Sequence, residues 1–180
     1  VVRLAEKLQM AVMVTSKARG VIPEDHPLFA GVMSGVYRED TFEGRIMGQS
    51  DLVLAVGLDR MELLSPWSYP QRLIALDAIE VPDEETVGQP FLKASGPLNG
   101  LLESLEAGLK PRRTWEVSAL RDFWSEALET LGANDTRLNA SSLLARARKL
   151  APADSILTTE AGVYGRVNLY VWKVNDPFTY

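Results

Sequence analysis

The sequence predicts an α/β fold: a Rossmann-like parallel sheet flanked by helices. Three observations predict it. Short apolar runs alternate along the chain with stretches of helical spacing. The most apolar run, Asp51-Leu52-Val53-Leu54-Ala55-Val56-Gly57, has no polar face and ends on glycine, as a strand covered on both sides does. Pro97 precedes a stripe of Leu98, Leu101, Leu102, Leu105 and Leu109, the mark of a helix opened by a first-turn proline.

The elements follow in order. Val1, Leu4, Ala5 and Leu8 fall on one helical face. Ala11 to Thr15 is apolar and partly β-branched, so it reads as a buried strand. From Lys17 to Gly35, Gly20, Pro23, Pro27, Gly31 and Gly35 restrict the backbone, which predicts a long ordered loop with short helical turns. Asp40 to Gly48 is compatible with a helix, and Asp51 to Gly57 is expected at the centre of the sheet. Arg72 to Asp77 is the third strand and Phe91 to Ala94 a fourth, before the leucine-striped helix. Lys110 to Thr114 reads as a linker. Beyond it Leu120, Phe123, Trp124, Ala127, Leu128 and Leu131 form an amphipathic helix whose aromatic stripe needs a packing partner. Leu143, Leu144, Ala147 and Leu150 mark another helix, and Ser155 to Glu160 a strand entering Ala161-Gly162.

Composition narrows the function classes. The net charge is −5 from 19 Lys and Arg against 24 Asp and Glu, without a basic cluster, which argues against nucleic acid or an anionic membrane as partner. The longest apolar run is far shorter than a spanning helix. Without cysteine there is no disulfide framework, thiolate site or cysteine nucleophile, and one histidine cannot make a histidine-rich metal site. Val1 in place of methionine, helical spacing from the first residue and the aromatic stretch Asn175 to Tyr180 suggest a segment of a longer protein.

No G-x-G-x-x-G and no G-x-x-x-x-G-K-[ST] is present, so nucleotide binding could rest only on strand ends. There, Asp59, Arg60 and Glu62 follow the strand that ends at Gly57, and Asp77 ends the next. Arg60 can pair with a phosphate or with Asp59 or Glu62. Asp77 can hold a ribose hydroxyl or serve as a turn residue. His26, between Pro23 and Pro27, reads as a hydrogen-bonding wedge more than as a general base, because no nucleophile signature accompanies it. Asp83-Glu84-Glu85 reads as a solvated turn, and the acceptor patterns at Asn134 and Asn139 as accidental. Backbone amides of the turn Glu160-Ala161-Gly162-Val163-Tyr164 could face a phosphate.

Taken together, Leu4 to Leu8, Ala11 to Thr15 and Lys17-Ala18-Arg19-Gly20-Val21-Ile22-Pro23-Glu24-Asp25-His26-Pro27-Leu28-Phe29-Ala30-Gly31 closely resemble the middle domain of thiamin-diphosphate-dependent enzymes of the acetolactate synthase type. Ser50 to Gly57 and Arg72 to Asp77 match that family's next two strand landmarks, and Leu157 to Gly162 resembles the opening of its pyrophosphate-binding domain.

The resemblance implies a parent enzyme that uses thiamin diphosphate and magnesium to decarboxylate 2-oxo acids or to make and break carbon–carbon bonds. It implies a cytoplasmic homodimer or homotetramer, a small-molecule substrate, and no nucleic-acid or membrane partner. Residues 1–110 would be the middle domain without its first strand, 111–140 a linker with the amphipathic helix, and 141–180 the start of the pyrophosphate-binding domain. Glu160, Ala161, Gly162, Val163 and Tyr164 would be the diphosphate loop, and Asp59, Arg60 and Asp77 a nucleotide crevice. The activating glutamate would lie upstream and the G-D-G metal motif downstream, so no catalytic residue and no metal ligand is assigned to this chain.

Acetolactate synthases bind FAD beside a G-x-R-F-D-D-R-like segment. This chain reads Gly57-Leu58-Asp59-Arg60-Met61-Glu62-Leu63, and Val163-Tyr164 replaces their Gln-His after the later glycine. The first departure weighs against FAD, and the second against that particular activity and for a divergent relative. The family's missing first strand would leave a gap for a preceding segment or a partner chain to fill. A nucleotide module holding FAD or ADP, and a purely structural middle domain, stand as alternatives.

Overall fold

The computed structural model describes residues 1–159 and 162–180. The chain forms two compact units interleaved in sequence: Arg3–Leu8 with Met33–Arg112, and Gln9–Val32 with Arg113–Tyr180, Val1 joining the first and Val2 the second. The protein is α/β, with parallel sheets flanked by helices.

In the first unit, β-strands Leu52–Val56, Arg72–Asp77 and Leu92–Ser95 (here β3, β4 and β5; β1 and β2 lie in the second unit) form a parallel sheet in the order β3-β4-β5. Val56 stands opposite Leu76, and Asp77 opposite Ser95. The expected central position of the Asp51–Gly57 strand is corrected: β4 is central and β3 is an edge. The burial explains it, since β4 buries Leu73, Ala75 and Leu76 whereas Leu52 of β3 is 44% exposed. Among the described residues no strand pairs with the outer side of β3.

Three helices accompany this sheet: α1 (Val2–Leu8), α2 (Phe42–Gly48) and α3 (Leu98–Gly108). Helix α1 buries Leu4, Ala5 and Leu8, as its spacing predicts. Its polar side meets α3, with the Arg3 guanidinium 3.1 Å from Glu106 and Lys7 donating to the Glu106 carbonyl. Helix α2 starts at Thr41, whose hydroxyl accepts the Gly44 N–H at 3.1 Å and so satisfies a first-turn donor. Pro97 caps α3 from outside rather than opening its first turn. Its ψ of 110° is extended and helical geometry begins at Leu98.

The second unit holds β1 (Val12–Val14) and β2 (Phe29–Val32), paired in parallel, with α4 (Val117–Thr130), α5 (Ala140–Leu150) and α6 (Val163–Val171). Its core gathers Val14, Ile22, Phe29 and Val32, with Trp124 and Leu169 packed on it. The aromatic stripe of α4 thereby finds its partner. The Trp124 ring stacks on Phe29 at 5.5 Å and its indole N–H donates to the Phe29 carbonyl at 3.1 Å. Helix α5 opens on a reciprocal cap, the Asn139 side chain accepting from the Ser142 N–H while the Ser142 hydroxyl accepts from the Asn139 N–H.

Two elements stand where the sequence reading has a loop or turn: β2, inside the expected Lys17–Gly35 loop, and α6, after Gly162. One expected strand is corrected: residues 155–159 are irregular, and Glu160 lies outside the described residues. A strand needs a neighbour, and here the Leu157 N–H goes to the Thr179 carbonyl instead, with Ile156 70% exposed.

Candidate functional site

The loop between β1 and β2 is organised by one buried ion pair. Arg19 donates to both carboxylate oxygens of Glu24, at 2.6 and 2.9 Å, with both side chains almost fully buried. Glu24 also accepts the Val174 N–H at 3.0 Å, and Arg19 donates to the Trp172 carbonyl at 2.5 Å. The Tyr180 ring lies 4.1 Å from the guanidinium. Gly20 has φ +87°, and a Cβ there would meet the Asp176 backbone at 2.4 Å, which explains why glycine follows the arginine. The His26 imidazole accepts the Leu28 N–H on Nδ1 at 3.2 Å, the wedge expected of it, and the His26 backbone N–H donates to the Pro23 carbonyl at 2.9 Å. This loop is a structural clamp within its unit.

In the first unit, Asp59 and Arg60 follow the carboxyl end of β3 and Asp77 closes β4, but Arg60 and Asp77 line different cavities. Gly57 turns the chain at φ +59° and donates to the Leu76 carbonyl at 2.7 Å. Asp59 is engaged as a cap, accepting the Met61 N–H at 2.8 Å at the head of a 3₁₀ turn, Arg60–Glu62. Arg60 donates to the Glu84 carbonyl at 3.1 Å. Asp77, the last residue of β4, has its carboxyl pKa raised by burial against the opposing pull of Lys93.

The loop that follows β4 folds over this end. Lys93 of β5 holds it, with Nζ at 2.6 Å from the Val81 carbonyl, 2.9 Å from Asp83 and 2.9 Å from the Thr86 hydroxyl. The space left between Ala55, Ala75, Asp77 and Val87 is about 20 Å³. That is room for a water rather than for a nucleotide.

At the expected diphosphate loop, Gly162 is the N-cap of α6 and accepts the Gly165 N–H on its carbonyl at 3.0 Å. Val163 and Tyr164 open that helix, and Glu160 and Ala161 lie outside the described residues. A helix start presents unpaired N–H groups suited to an anion. Among the described residues no group of three or more His, Cys, Asp or Glu side chains is placed to hold a metal ion. No described helix is long and apolar enough to cross a membrane.

Sequence reasoning missed two polar centres. One is Lys93, read only as part of a weak strand. The other is Glu43, whose buried carboxylate accepts the Ser34 N–H, the Ser34 hydroxyl, the Gly35 N–H and the Tyr69 hydroxyl. A lone glutamate in a helix and a lysine in a strand carry no spacing signal, since their partners come from distant loops.

Fold and strand-end geometry together define an α/β domain of the parallel, Rossmann-like class. Within it, residues 1–88 match the family model of the thiamine pyrophosphate enzyme central domain. That match supports a thiamin diphosphate enzyme middle domain over this part of the chain, and thiamin diphosphate as the cofactor that such a family implies. A comparison with curated proteins gave no match.

Proposed function

We propose that the chain is a piece of a thiamin-diphosphate-dependent enzyme of the acetolactate synthase-like kind, a lyase or transferase acting on a 2-oxo acid, cytoplasmic and a homodimer or homotetramer. The observation that carries the reading is the central-domain match over residues 1–88, joined to a parallel α/β structure in the same stretch. The proposed role of this segment is architectural. Residues 1–110 supply the middle domain, and Gly162 at the head of α6 supplies the start of the diphosphate loop with its neighbours Glu160, Ala161, Val163 and Tyr164. When bound, thiamin diphosphate would supply the nucleophilic carbon for 2-oxo acid chemistry, with its diphosphate held at the loop of Gly162 and its magnesium by a motif that the resemblance places downstream. The open outer edge of β3 supports the view that a further strand reaches the sheet from another segment or chain.

The test is calorimetric titration of the purified chain with thiamin diphosphate and magnesium. No saturable heat is expected, because the activating glutamate and the metal motif lie elsewhere. Micromolar binding by the chain alone overturns the claim of an incomplete site. A structural middle domain without nucleotide is the second reading, favoured by the 20 Å³ left at the strand ends. Flavin absorbance in the purified protein sinks it.

A further inference from the structure

We infer that Asn168 is a positioning residue for the head of α6: its side chain ties the helix to the chain that enters it and so fixes the aim of the first N–H groups. The inference rests on the thiamin diphosphate reading and deepens it. Asn168 stands inside α6, where asparagine is a poor helix former, and is only 4% exposed. Side chains on a helix lean back toward its N-terminus. The Asn168 amide accordingly reaches back past Gly162 and donates to the Thr159 hydroxyl at 3.3 Å, across nine residues of sequence. One bond thereby joins the two sides of the helix start.

The same side chain is a poor stabiliser. Its amide oxygen is buried and, among the described residues, has no hydrogen-bond partner. A half-satisfied buried amide is less favourable than an apolar side chain of the same shape. A residue that breaks a local rule without a gain in stability points to function. The rest of α6 is anchored independently of it. Trp172, the C-cap, gives its carbonyl to Arg19, and the Val174 N–H goes to Glu24. Leu169 packs on the core of the unit, and the Tyr170 ring meets Trp124 edge-on at 6.0 Å. With the far end held, the bond from Asn168 to Thr159 decides where the chain enters the helix. The first-turn N–H groups, which the helix itself leaves unpaired, then have one fixed direction in which to meet a diphosphate.

Two measurements test this. In the chain itself, Asn168→Leu should keep or raise the melting temperature, because an unpaired buried amide is removed. It should nevertheless speed hydrogen exchange about tenfold at the Gly165 amide, which bonds the Gly162 carbonyl. In the full-length enzyme, calorimetry with thiamin diphosphate and magnesium should give a dissociation constant about tenfold higher for Asn168→Leu and for Thr159→Val. Thr159→Ser, which keeps the hydroxyl, should restore the affinity, and kcat at saturating cofactor should stay unchanged in all three. A purely structural role predicts the reverse, a lower melting temperature or a variant that fails to fold, with affinity kept in Thr159→Val. That result overturns the inference, as does Gly165 exchange that does not respond, or Thr159→Ser as weak as Thr159→Val. Failure of the thiamin reading is distinguishable. The unsubstituted full-length enzyme then binds no thiamin diphosphate and both readings fall together, whereas normal binding with indifferent variants sinks this inference alone.

Discussion

Tyr69 donates its phenolic hydrogen to the buried carboxylate of Glu43, across 26 residues of sequence, and the same carboxylate fixes the Ser34-Gly35 turn. Burial, and then the adjacent carboxylate, push the Tyr69 pKa well above that of a free phenol. A group whose folded pKa is raised contributes stability below its unfolded pKa and loses it as pH climbs toward the folded value. Tyr69→Phe should therefore cost about 1–2 kcal/mol at neutral pH, and the gap to the unsubstituted chain should close as pH rises above about 10. Urea midpoints collected from pH 7 upward check this.

Glu43→Gln should be more damaging than Tyr69→Phe. Its amide nitrogen would face donors where the carboxylate accepts them, leaving N–H groups at Ser34 or Gly35 unpaired, at a cost of about 2–4 kcal/mol. Hydrogen exchange at Ser34 and Gly35 should accelerate well beyond the change in global stability. Unchanged exchange at both amides would count against the carboxylate as their anchor.

The Arg19–Glu24 pair is buried, so removing one partner strands a charge. Arg19→Met or Glu24→Leu alone should destabilise by about 3–5 kcal/mol, while the double substitution should recover part of that loss. A double-mutant cycle in urea measures it. Strict additivity would show that the two side chains do not act as a pair.

Two glycines should respond in opposite directions to alanine. Gly20→Ala meets the Asp176 backbone at 2.4 Å and an unfavourable φ, and should lose about 2–4 kcal/mol. Gly100 lies in α3 with open space around its Cβ position, and Gly100→Ala should gain about 0.5–1 kcal/mol. Thermal melting separates the two.

Asp77 offers a pH test of the strand-end geometry. Its raised pKa means that ionisation weakens the fold, so stability linked to this group is full at acid pH and declines as the carboxyl ionises. Asp77→Asn should raise the melting temperature by about a degree or two at neutral pH, with the benefit fading below about pH 4.

The strands and helices with strong patterns were legible: Arg72–Asp77 was read to the residue, and the Trp124 stripe announced a packed helix. What failed did so through tertiary pairing. β3 is the most apolar run, yet hydrophobicity does not encode strand order, and β4 took the centre. β2 hid inside a Pro- and Gly-rich stretch, where Gly31 at φ +114° sits within the strand itself. Ser155–Thr159 has β-type composition but no neighbouring strand. Asp59, Arg60 and Asp77 lie at or just past strand ends, a position the strand pattern alone gives, whereas the loop that Lys93 holds beside Asp77 carries no sequence signal. That closure depends on three acceptors contributed by residues 81–86.

The edge position of β3 also governs how the purified chain behaves in a tube. Along Leu52–Val56 every second backbone group points away from β4, and the strand lacks the charges, prolines or bulges that blunt exposed edges. Such an edge is a template for the same strand on another molecule. Colloidal stability, rather than unfolding, then sets the usable concentration of the chain: light scattering should rise with concentration under conditions where the fold is intact. A lysine at position 52, where leucine is already 44% exposed, should raise that limit without lowering the melting temperature.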